Sequence, residues 1–308
     1  MNQHNIHSPE ISPKEEAQQN ARAKALLAAC SATNAAGDKA SPTGARRQRF
    51  LSSILVDDRR RLLYCIVPKA GSSNWQRVFA ALSTEPVGDP LAFDAYNINK
   101  RHGLKHLRAY RPSEGRRRLE TYFKFIFVRD PYERLLSAFA SIFLKPLADF
   151  GTQHKLMFAK YRRHVVANYR RDADADPRDL NVTFDEFARY LTDELTLAAD
   201  PFSVSYTGSL NPHWAPMYEL CDPCRVRYDV VGTHRTMAAD ADYVLRRMNV
   251  AHLLRYPSYG AKQNMTRSAM PDFYRSLSAD VVAKIRRLYD VDFKLFRFNA
   301  SEVDEFVS

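Results

Sequence analysis

Two short apolar runs along the chain each lead into apolar residues at helical spacing. Residues 62–67 read Leu-Leu-Tyr-Cys-Ile-Val, a run long enough for a buried strand and too short for a helix. Pro68 lacks a backbone donor and should end that strand. The apolar residues that follow share one face of a predicted helix: Trp75, Val78, Phe79 and Leu82.

The second apolar run, residues 121–128, is rich in β-branched and aromatic residues and predicts another strand. A helix should follow it, with Asp130 as the N-cap and Pro131 at the first helical position. The apolar stripe of that helix consists of Tyr132, Leu135, Leu136, Phe139 and Phe143. Two strand-to-helix units predict an α/β fold with a mainly parallel central sheet flanked by helices.

The loop between the first strand and its helix has the composition of an anion site. Lys69 is its charged side chain, Gly71 permits a close turn, and Ser72 or Ser73 is a natural N-cap. Backbone N–H groups, the helix dipole and one mobile positive charge can together hold a phosphate-like or sulfate-like group. A solvated lysine beside a capping serine would give the same local pattern. The GxxxxGK[ST] pattern of Walker loops is absent.

Arg129 occupies the matching position after the second strand, and Ser137 lies two turns into the second helix. An arginine at such a turn can grip a phosphate through two parallel hydrogen bonds. A structural salt bridge is the alternative role for it.

Together these units resemble the phosphate-binding motifs of sulfotransferases that use 3′-phosphoadenosine-5′-phosphosulfate (PAPS). More narrowly, they are similar to the Golgi carbohydrate sulfotransferases of the chondroitin/dermatan 4-O and HNK-1 group. The matching stretches are residues 64–75, 127–139, 211–216, 220–224, 228–233 and 288–296. Relatives often have Cys or Thr at positions 72 and 73, and serine keeps the hydroxyl at position 73. The resemblance implies a P-loop-like sulfotransferase fold over residues 49–308.

The resemblance also implies roles for individual residues. Lys69 would stabilise the oxygen that leaves the sulfate. The residues that would cradle the 5′-phosphosulfate are Lys69, Ala70, Gly71, Ser72, Ser73, Asn74 and Trp75. Arg129 and Ser137 would hold the 3′-phosphate. A late loop would close over the nucleotide, with Lys262 and Arg267 near the 3′-phosphate and Gln263 at the adenine. No metal is expected, because the lysine and the helix end supply the charge.

Deprotonation of a sugar hydroxyl needs a base, and histidine suits that task because its ordinary pKa is close to neutral pH. His213 lies in Asn-Pro-His-Trp-Ala-Pro, where two prolines and Trp214 can hold it rigidly. A histidine beside a tryptophan is often structural, but the family match of the hexapeptide favours the catalytic role. His102 and His106 are the alternatives.

The net charge of +11 and the pI near 9.5 favour an anionic partner. Nucleic acid, an acidic glycan and an anionic nucleotide all qualify, but no zinc-finger, RNP or helix-turn-helix signature supports nucleic acid. The basic stretch over residues 100–118 is either a solvated face or a rim that holds a polyanionic glycan.

Residues 1–48 are rich in Ala, Asn, Gln, Ser and Lys and predict a disordered stem or tail, with at most a transient helix over Ala21–Ala29. No apolar run of 18 residues and no signal-peptide pattern is present. The family nevertheless implies a membrane anchor and a Golgi location. Three N-glycosylation sequons favour the secretory route and a glycoprotein: Asn181, Asn264 and Asn299.

The four cysteines differ in context. Cys30 lies in the predicted tail, and Cys65 in a predicted buried strand should be an inert thiol. Cys221 and Cys224 form a CxxC without a second ligand pair for zinc. In an oxidising lumen they predict a local disulfide, with two free thiols as the alternative.

The implied function is transfer of sulfate from PAPS to a hydroxyl of an acidic glycan or proteoglycan. The 4-hydroxyl of GalNAc in chondroitin or dermatan is the leading acceptor, and HNK-1-type 3-O-sulfation of glucuronic acid is an alternative. A nucleotide-dependent phosphotransferase would need the Walker lysine that is missing. A glycan- or nucleic-acid-binding module without catalysis would not need the catalytic set, which is intact: Lys69, Arg129, Ser137 and His213.

Overall fold

The chain folds into two structural units, Met1–Arg129 with Met217–Gly260 and Asp130–Pro216 with Ala261–Ser308. A computed structural model describes residues 10–33, 44–94, 98, 102–172, 176, 179–198, 210–257 and 265–307. Within these ranges, no helix combines the length and the apolar character that a bilayer crossing requires.

The first unit contains a mixed sheet, to which the described residues contribute five strands in the order β3-β1-β2-β4-β5. The strands are β1 Ile54–Asp57, β2 Leu62–Cys65, β3 Lys105–His106, β4 Phe123–Val128 and β5 Val230–Thr233. β2, β4 and β5 are parallel to one another, whereas β1 is antiparallel to both of its neighbours. Cys65 pairs with Ile126, and Val128 pairs with Thr233. The carboxyl ends of the three parallel strands therefore meet at one edge of the sheet, which we call the carboxyl edge.

Helices of the first unit flank both faces of this sheet. They are α1 Pro13–Ala32, α2 Gly44–Ser53, α3 Ser72–Leu82, α4 Pro112–Thr121, α9 Met217–Cys221 and α10 Met237–Arg247. On one face, Tyr64 and Phe125 pack with Trp75 of α3, and apolar residues of α10 join the same core. Cys65, one residue along β2, points to the opposite face, where it is bonded to Cys221 of α9. The predicted α/β class is confirmed, and β2 ends two residues before the predicted end of the strand.

The second unit is helical over its described residues. Its helices are α5 Pro131–Phe139, α6 Thr152–Tyr169, α7 Phe184–Thr192, α8 Glu194–Ala198, α11 Met265–Tyr274, α12 Ala279–Leu288 and α13 Asp290–Phe296. Asp130 caps α5 as predicted, because its carboxylate accepts from the N–H groups of Tyr132 and Glu133. The predicted apolar stripe of α5 is buried, and Phe139 stacks on Phe143 and Phe187.

Part of the segment 1–48, for which we predicted a disordered stem or tail, is a folded helix. Helix α1 begins with a capping box between Ser12 and Glu15 and packs against β5. The composition of this segment did not indicate a folded helix, because α1 is held chiefly by polar contacts. Its buried apolar side chains are Leu26 and Cys30. Residues 1–9 and 34–43 lie outside the described residues.

The cysteine predictions are wrong. Cys30 pairs with Cys224, and Cys65 pairs with Cys221, at Cα–Cα separations of 5.4 and 5.8 Å. The CxxC motif is therefore shared between two long-range bridges, and Cys65 is not a free thiol. Spacing along the chain could not reveal this, because α9 presents Cys221 to the end of β2 while Cys224 faces α1.

Candidate active site

The loop between β2 and α3, residues 66–71, has an unusual backbone and is called the lysine loop. Lys69 and Gly71 both adopt the left-handed conformation, with φ of 71° and 84°. For lysine this conformation is strained, and such strain is found preferentially at functional sites. A Cβ atom at Gly71 would lie 2.5 Å from Met237 Cε and 2.7 Å from Tyr256 Oη. Glycine is thus favoured by its φ, and any larger residue would also displace the ends of the Met237 and Tyr256 side chains.

The start of α3 differs from the prediction. Gly71 is the N-cap, and because it has no side chain it makes no side-chain capping hydrogen bond. Ser72 and Ser73 are instead the first two helical residues, Ser72 buried and Ser73 exposed. The prediction of a serine cap is wrong because the loop ends on a left-handed glycine. The first turn of α3 carries the positive end of the helix dipole, which favours an anion.

Asn74 and Trp75, in the first turn of α3, make contacts that fix the helix start next to the lysine loop. Asn74 donates from Nδ2 to the carbonyl of Pro257 at 2.9 Å and accepts from Arg77 Nη1 at 2.9 Å. Trp75 is fully buried, with its ring against Tyr256 and the aromatic core. Their side chains therefore hold the first turn of α3 in place.

Arg129 directly follows β4 and is 4% exposed. Its Nη1 donates to the carbonyl oxygen of Lys69 at 3.1 Å. The structure thus brings together two residues that the sequence separates by 60 positions. Both lie at the carboxyl edge, each in the loop that follows one of the parallel strands.

Two further parts of the carboxyl edge were not predicted from the sequence. The turn after β5, residues 233–236, joins it because the His234 N–H donates to the Val128 carbonyl at 2.8 Å. Tyr256 donates from its hydroxyl to the Gly71 carbonyl at 3.0 Å. A polar turn after the strand-like sequence Asp-Val-Val-Gly-Thr was an available signal for the first. No local pattern marked Tyr256.

The remaining predicted residues belong to the second unit. Ser137 is half-buried on α5. Arg267, on α11, donates to Glu133 at 3.0 Å and also pairs with Glu302. Its charge is therefore balanced by two carboxylates. Lys262 and Gln263 lie outside the described residues.

His213 is held in a defined orientation. Asn211 Oδ1 lies 3.0 Å from the backbone N and 2.9 Å from the ring Nδ1 of His213. The Asn211 amide donates to Tyr161 Oη at 2.9 Å, so its oxygen faces the histidine. An amide oxygen only accepts, so the neutral ring carries its proton on Nδ1 and presents Nε2 as the basic nitrogen.

The hexapeptide around His213 is also fixed through its backbone. Arg134 of α5 is 1% exposed and donates to the carbonyls of Ala215 at 2.7 Å and Pro212 at 2.8 Å. Tyr289 donates to the Trp214 carbonyl at 2.6 Å. Burial lowers the pKa of the Arg134 guanidinium. A buried cation is thus used to hold the loop that carries the histidine.

The alternative histidines belong to the first unit. His106 lies in the short edge strand β3, and burial lowers its pKa. The ring of His102 contacts Phe93 at a centroid distance of 4.7 Å. Among the described residues, no group of three or more His, Cys, Asp or Glu side chains is arranged to hold a metal ion.

Comparison with known proteins gives one consistent result. The model of the sulfotransferase family matches residues 52–299. Carbohydrate sulfotransferase 11 of Rattus norvegicus is 32% identical over 270 residues, which cover 85% of this chain and 72% of that protein. Carbohydrate sulfotransferase 14 of Homo sapiens is 37% identical over 290 residues, or 91% and 69%. Carbohydrate sulfotransferase 10 of Danio rerio is 32% identical over 259 residues, or 82% and 68%. No solved structure matches significantly.

Proposed function

Because this chain belongs to the sulfotransferase family, we propose that it transfers sulfate from PAPS to a hydroxyl group of a glycan. The observation that carries the proposal is the lysine loop. It combines two left-handed residues, a helix that starts at a glycine and a buried arginine hydrogen-bonded to its backbone. These features support the proposal, because backbone N–H groups, a lysine and an arginine at one edge of a sheet suit an anionic donor.

PAPS, when bound, supplies an activated sulfuryl group on its 5′-phosphate and a 3′-phosphate that distinguishes it from other nucleotides. The residues assigned to the phosphosulfate are Lys69, Ala70, Gly71, Ser72, Ser73 and Asn74, with Trp75 packed beneath them. Arg129 and Ser137 are assigned to the 3′-phosphate. Lys262 and the ion-paired Arg267 remain proposed contributors of charge at the same phosphate.

Two side chains of this protein are proposed to act on the reacting groups, one on the charge of the leaving oxygen and one on the proton of the acceptor hydroxyl. Lys69 would stabilise the oxygen that leaves with the phosphate, where charge develops in the transition state. His213 would accept the proton of the acceptor hydroxyl at Nε2, because its Nδ1 is committed to Asn211. This scheme invokes no metal, since the lysine and the start of α3 supply the positive charge.

The proposed acceptor is an acidic glycan or proteoglycan, and the leading position is the 4-hydroxyl of GalNAc in chondroitin or dermatan. The relatives are named carbohydrate sulfotransferases, which supports a sugar acceptor. The net charge of +11 and the exposed residues Arg108, Arg111, Arg116 and Arg117 suit a polyanion. HNK-1-type 3-O-sulfation of glucuronic acid is the second candidate, supported by the match to carbohydrate sulfotransferase 10. No nucleic-acid partner is proposed.

The proposed location is the Golgi lumen or membrane. Two disulfides are typical of proteins in oxidising compartments. The sequons at Asn181 and Asn299 are exposed and suit glycosylation, whereas Asn264 lies outside the described residues. A membrane anchor is proposed from the family.

Two measurements test the function. Calorimetric titration with 3′,5′-ADP and with AMP should show tighter binding of the nucleotide that carries the 3′-phosphate. Transfer of radiolabelled sulfate from PAPS should then be measured on chondroitin, dermatan, a glycan ending in glucuronic acid and an RNA control. Label on chondroitin or dermatan at the 4-position of GalNAc is the expected result.

Each other outcome selects an alternative. Label at the 3-position of glucuronic acid would select HNK-1-type activity. Glycan binding without transfer would select a non-catalytic binding module, and binding of RNA in its place would contradict the partner assignment. Phosphate transfer from ATP would select a phosphotransferase.

A further inference from the structure

A buried carboxylate connects the N-terminal helix to the carboxyl edge. Asp240, on α10, is 3% exposed. From α1 it accepts hydrogen bonds from Gln19 Nε2 at 2.7 Å and from Arg22 Nη1 at 2.8 and 2.7 Å. From the end of β5 it accepts the N–H of Thr233 at 2.9 Å, and it also accepts from the hydroxyl of Thr236. One side chain thus joins three elements of the first unit.

Asp240 is hydrogen-bonded to both ends of the turn after β5, residues 233–236. Within the turn, the hydroxyls of Thr233 and Thr236 lie 2.7 Å apart, and the Thr236 N–H donates to Thr233 at 3.3 Å. Arg22 Nη2 reaches the Thr236 hydroxyl at 3.4 Å. The His234 N–H then bonds to Val128, the residue before Arg129. The turn after β5 is therefore hydrogen-bonded to the residue that precedes the arginine assigned to the 3′-phosphate.

The same helix contacts the lysine loop directly. Met237 is the first residue of α10, and the space beside Gly71 is so small that an added Cβ would lie 2.5 Å from Met237 Cε. A shift of the first turn of α10 would move Met237 and change its packing against the lysine loop. Close packing transmits such shifts because interiors have low compressibility.

We propose that α1 is a positioning element of the donor site, and that Arg22 acts through Asp240 on the turn after β5 and the lysine loop. This inference rests on the proposed function, because it concerns the site assigned to PAPS. Arg22 is the cation that pairs with Asp240 in the structure, and a buried carboxylate that loses its partner is strongly destabilised. Without Arg22, the carboxylate would have to move toward water and release the threonine turn. Arg22 and Asp240 are thus positioning residues.

Other contacts attach α1 independently of Arg22. Glu15 pairs with Arg246, which also donates to the Glu10 carbonyl at 3.0 Å. At the other end of the helix, Cys30 is bonded to Cys224. Replacement of Arg22 should therefore leave α1 docked while it disturbs Asp240. This separation allows a positioning role to be distinguished from general stability.

The experiment compares Arg22→Ala and Arg22→Lys with two control variants on the same helix. Lys24→Ala removes an exposed positive charge, and Glu15→Gln weakens docking of α1 without touching Asp240. For Arg22→Ala we expect affinity for 3′,5′-ADP to fall about tenfold, within the range of affinity changes that coupling between two parts of a protein typically produces. Arg22→Lys should recover part of the affinity, because it keeps the charge but not the two-pronged geometry. Both controls should bind like the wild type.

Hydrogen exchange gives a second readout that does not depend on nucleotide. The N–H groups of Ala70, Asn74 and Trp75 are bonded within the lysine loop and the start of α3. They should exchange several-fold faster in Arg22→Ala and at the wild-type rate in Lys24→Ala. If Arg22→Ala fails to fold, Arg22→Lys still tests the proposal through the same amides.

The outcomes separate the two hypotheses. Unchanged exchange and unchanged nucleotide affinity in folded Arg22 variants would overturn the positioning role, as would an equal loss in Glu15→Gln. A wild-type protein that binds no 3′,5′-ADP would instead contradict the proposed function. In that case, faster exchange at Ala70, Asn74 and Trp75 would still support the mechanical link.

Discussion

At the scale of single residues, Lys69 combines a charged side chain with a strained backbone. Its φ of 71° lies in the left-handed region, which costs an L-residue roughly 1–2 kcal/mol. The hydrogen bond from Arg129 to its carbonyl and the close contacts of Gly71 hold this conformation. The strain is therefore maintained by the residues that surround the loop.

Replacement of Lys69 by alanine and by glycine distinguishes the contribution of the side-chain amine from that of the strained backbone. Sulfate transfer should fall by about 10²–10³ in both variants, the typical cost of one preorganised donor. Lys69→Gly should be at least as stable as Lys69→Ala, because relief of about 1–2 kcal/mol of left-handed strain exceeds the roughly 0.5–1 kcal/mol of chain entropy that glycine adds. Transfer assays and thermal unfolding measure the two effects. Near-normal turnover in either variant would refute the role of the amine.

His213 gives the second prediction at this scale. His213→Ala should lower turnover by about 10²–10⁴ and leave 3′,5′-ADP affinity nearly unchanged, because the proposed base touches the acceptor and not the nucleotide. Added imidazole should restore part of the rate. His154→Ala, on α6 of the same unit, is the matched control. If His213→Ala weakens nucleotide binding as much as turnover, the residue is structural, and His102 and His106 become the next candidates.

At the scale of elements, Arg134 links α5 to the hexapeptide that carries His213. Arg134→Met would leave the carbonyls of Pro212 and Ala215 without these donors, and each lost partner costs about 1–3 kcal/mol when buried. We therefore expect destabilisation of about 2–6 kcal/mol by urea unfolding, with an intermediate loss in Arg134→Lys. Turnover should also fall at temperatures where the variant is folded. A variant with wild-type stability would show that the loop does not depend on this guanidinium.

Asp58 joins the turn between β1 and β2 to α4 and gives a pH prediction. Burial alone would raise its pKa, but hydrogen bonds from Arg118, Tyr110 and Tyr122 lower it from 3.8 to about 2. A lowered pKa means that the carboxylate stabilises the fold above its unfolded pKa and that this contribution is lost as the pH falls from about 4 to about 2.

Asp58→Asn should remove that part of the acid sensitivity. Urea midpoints measured from pH 5 to pH 2.5 should converge for the variant and the wild type at the acid end, as expected from the linkage between protonation and folding. Asp280→Asn, an exposed carboxylate on α12, serves as the control. A constant difference between Asp58→Asn and wild type over this range would contradict the assignment.

At the scale of the whole molecule, two disulfides join cysteines of the first unit that are far apart along the chain. The bonded cysteines are 194 residues apart for Cys30–Cys224 and 156 for Cys65–Cys221. By the chain-entropy estimate, closing one loop of this size stabilises the fold by about 5 kcal/mol, and the second bridge adds less because its loop lies within the first. The bridges thus offset part of the entropy cost of bringing distant segments together.

The two bridges should differ in their rate of reduction. Cys224 is half-buried, whereas Cys65 and Cys221 are 0% exposed, and access limits attack by a thiolate. Mild dithiothreitol should therefore open Cys30–Cys224 first, which alkylation and peptide mass mapping can detect. Urea should remove the difference. Earlier reduction of Cys65–Cys221 would show that the first unit opens before α1 is released.

Sequence patterns predicted the parts of this protein that depend on near neighbours. Period and composition identified β2 with α3 and β4 with α5, the buried stripes of both helices and the cap at Asp130. The resemblance identified the sulfotransferase family, which is confirmed. Lys69 and Arg129 were selected separately, each from its own strand-to-loop transition, and they prove to be bonded.

The tertiary structure decided what depends on partners far along the chain. Asp240 meets Arg22 across 218 positions, the CxxC motif divides between α1 and β2, and the cap of α3 is the left-handed Gly71 and not a serine. Periodicity reports which face of an element is buried, and the α/β class follows from it. Which surfaces then meet is set by packing between segments far apart along the chain. The docking of residues 13–32 as a helix against β5 could therefore be seen only in the tertiary structure.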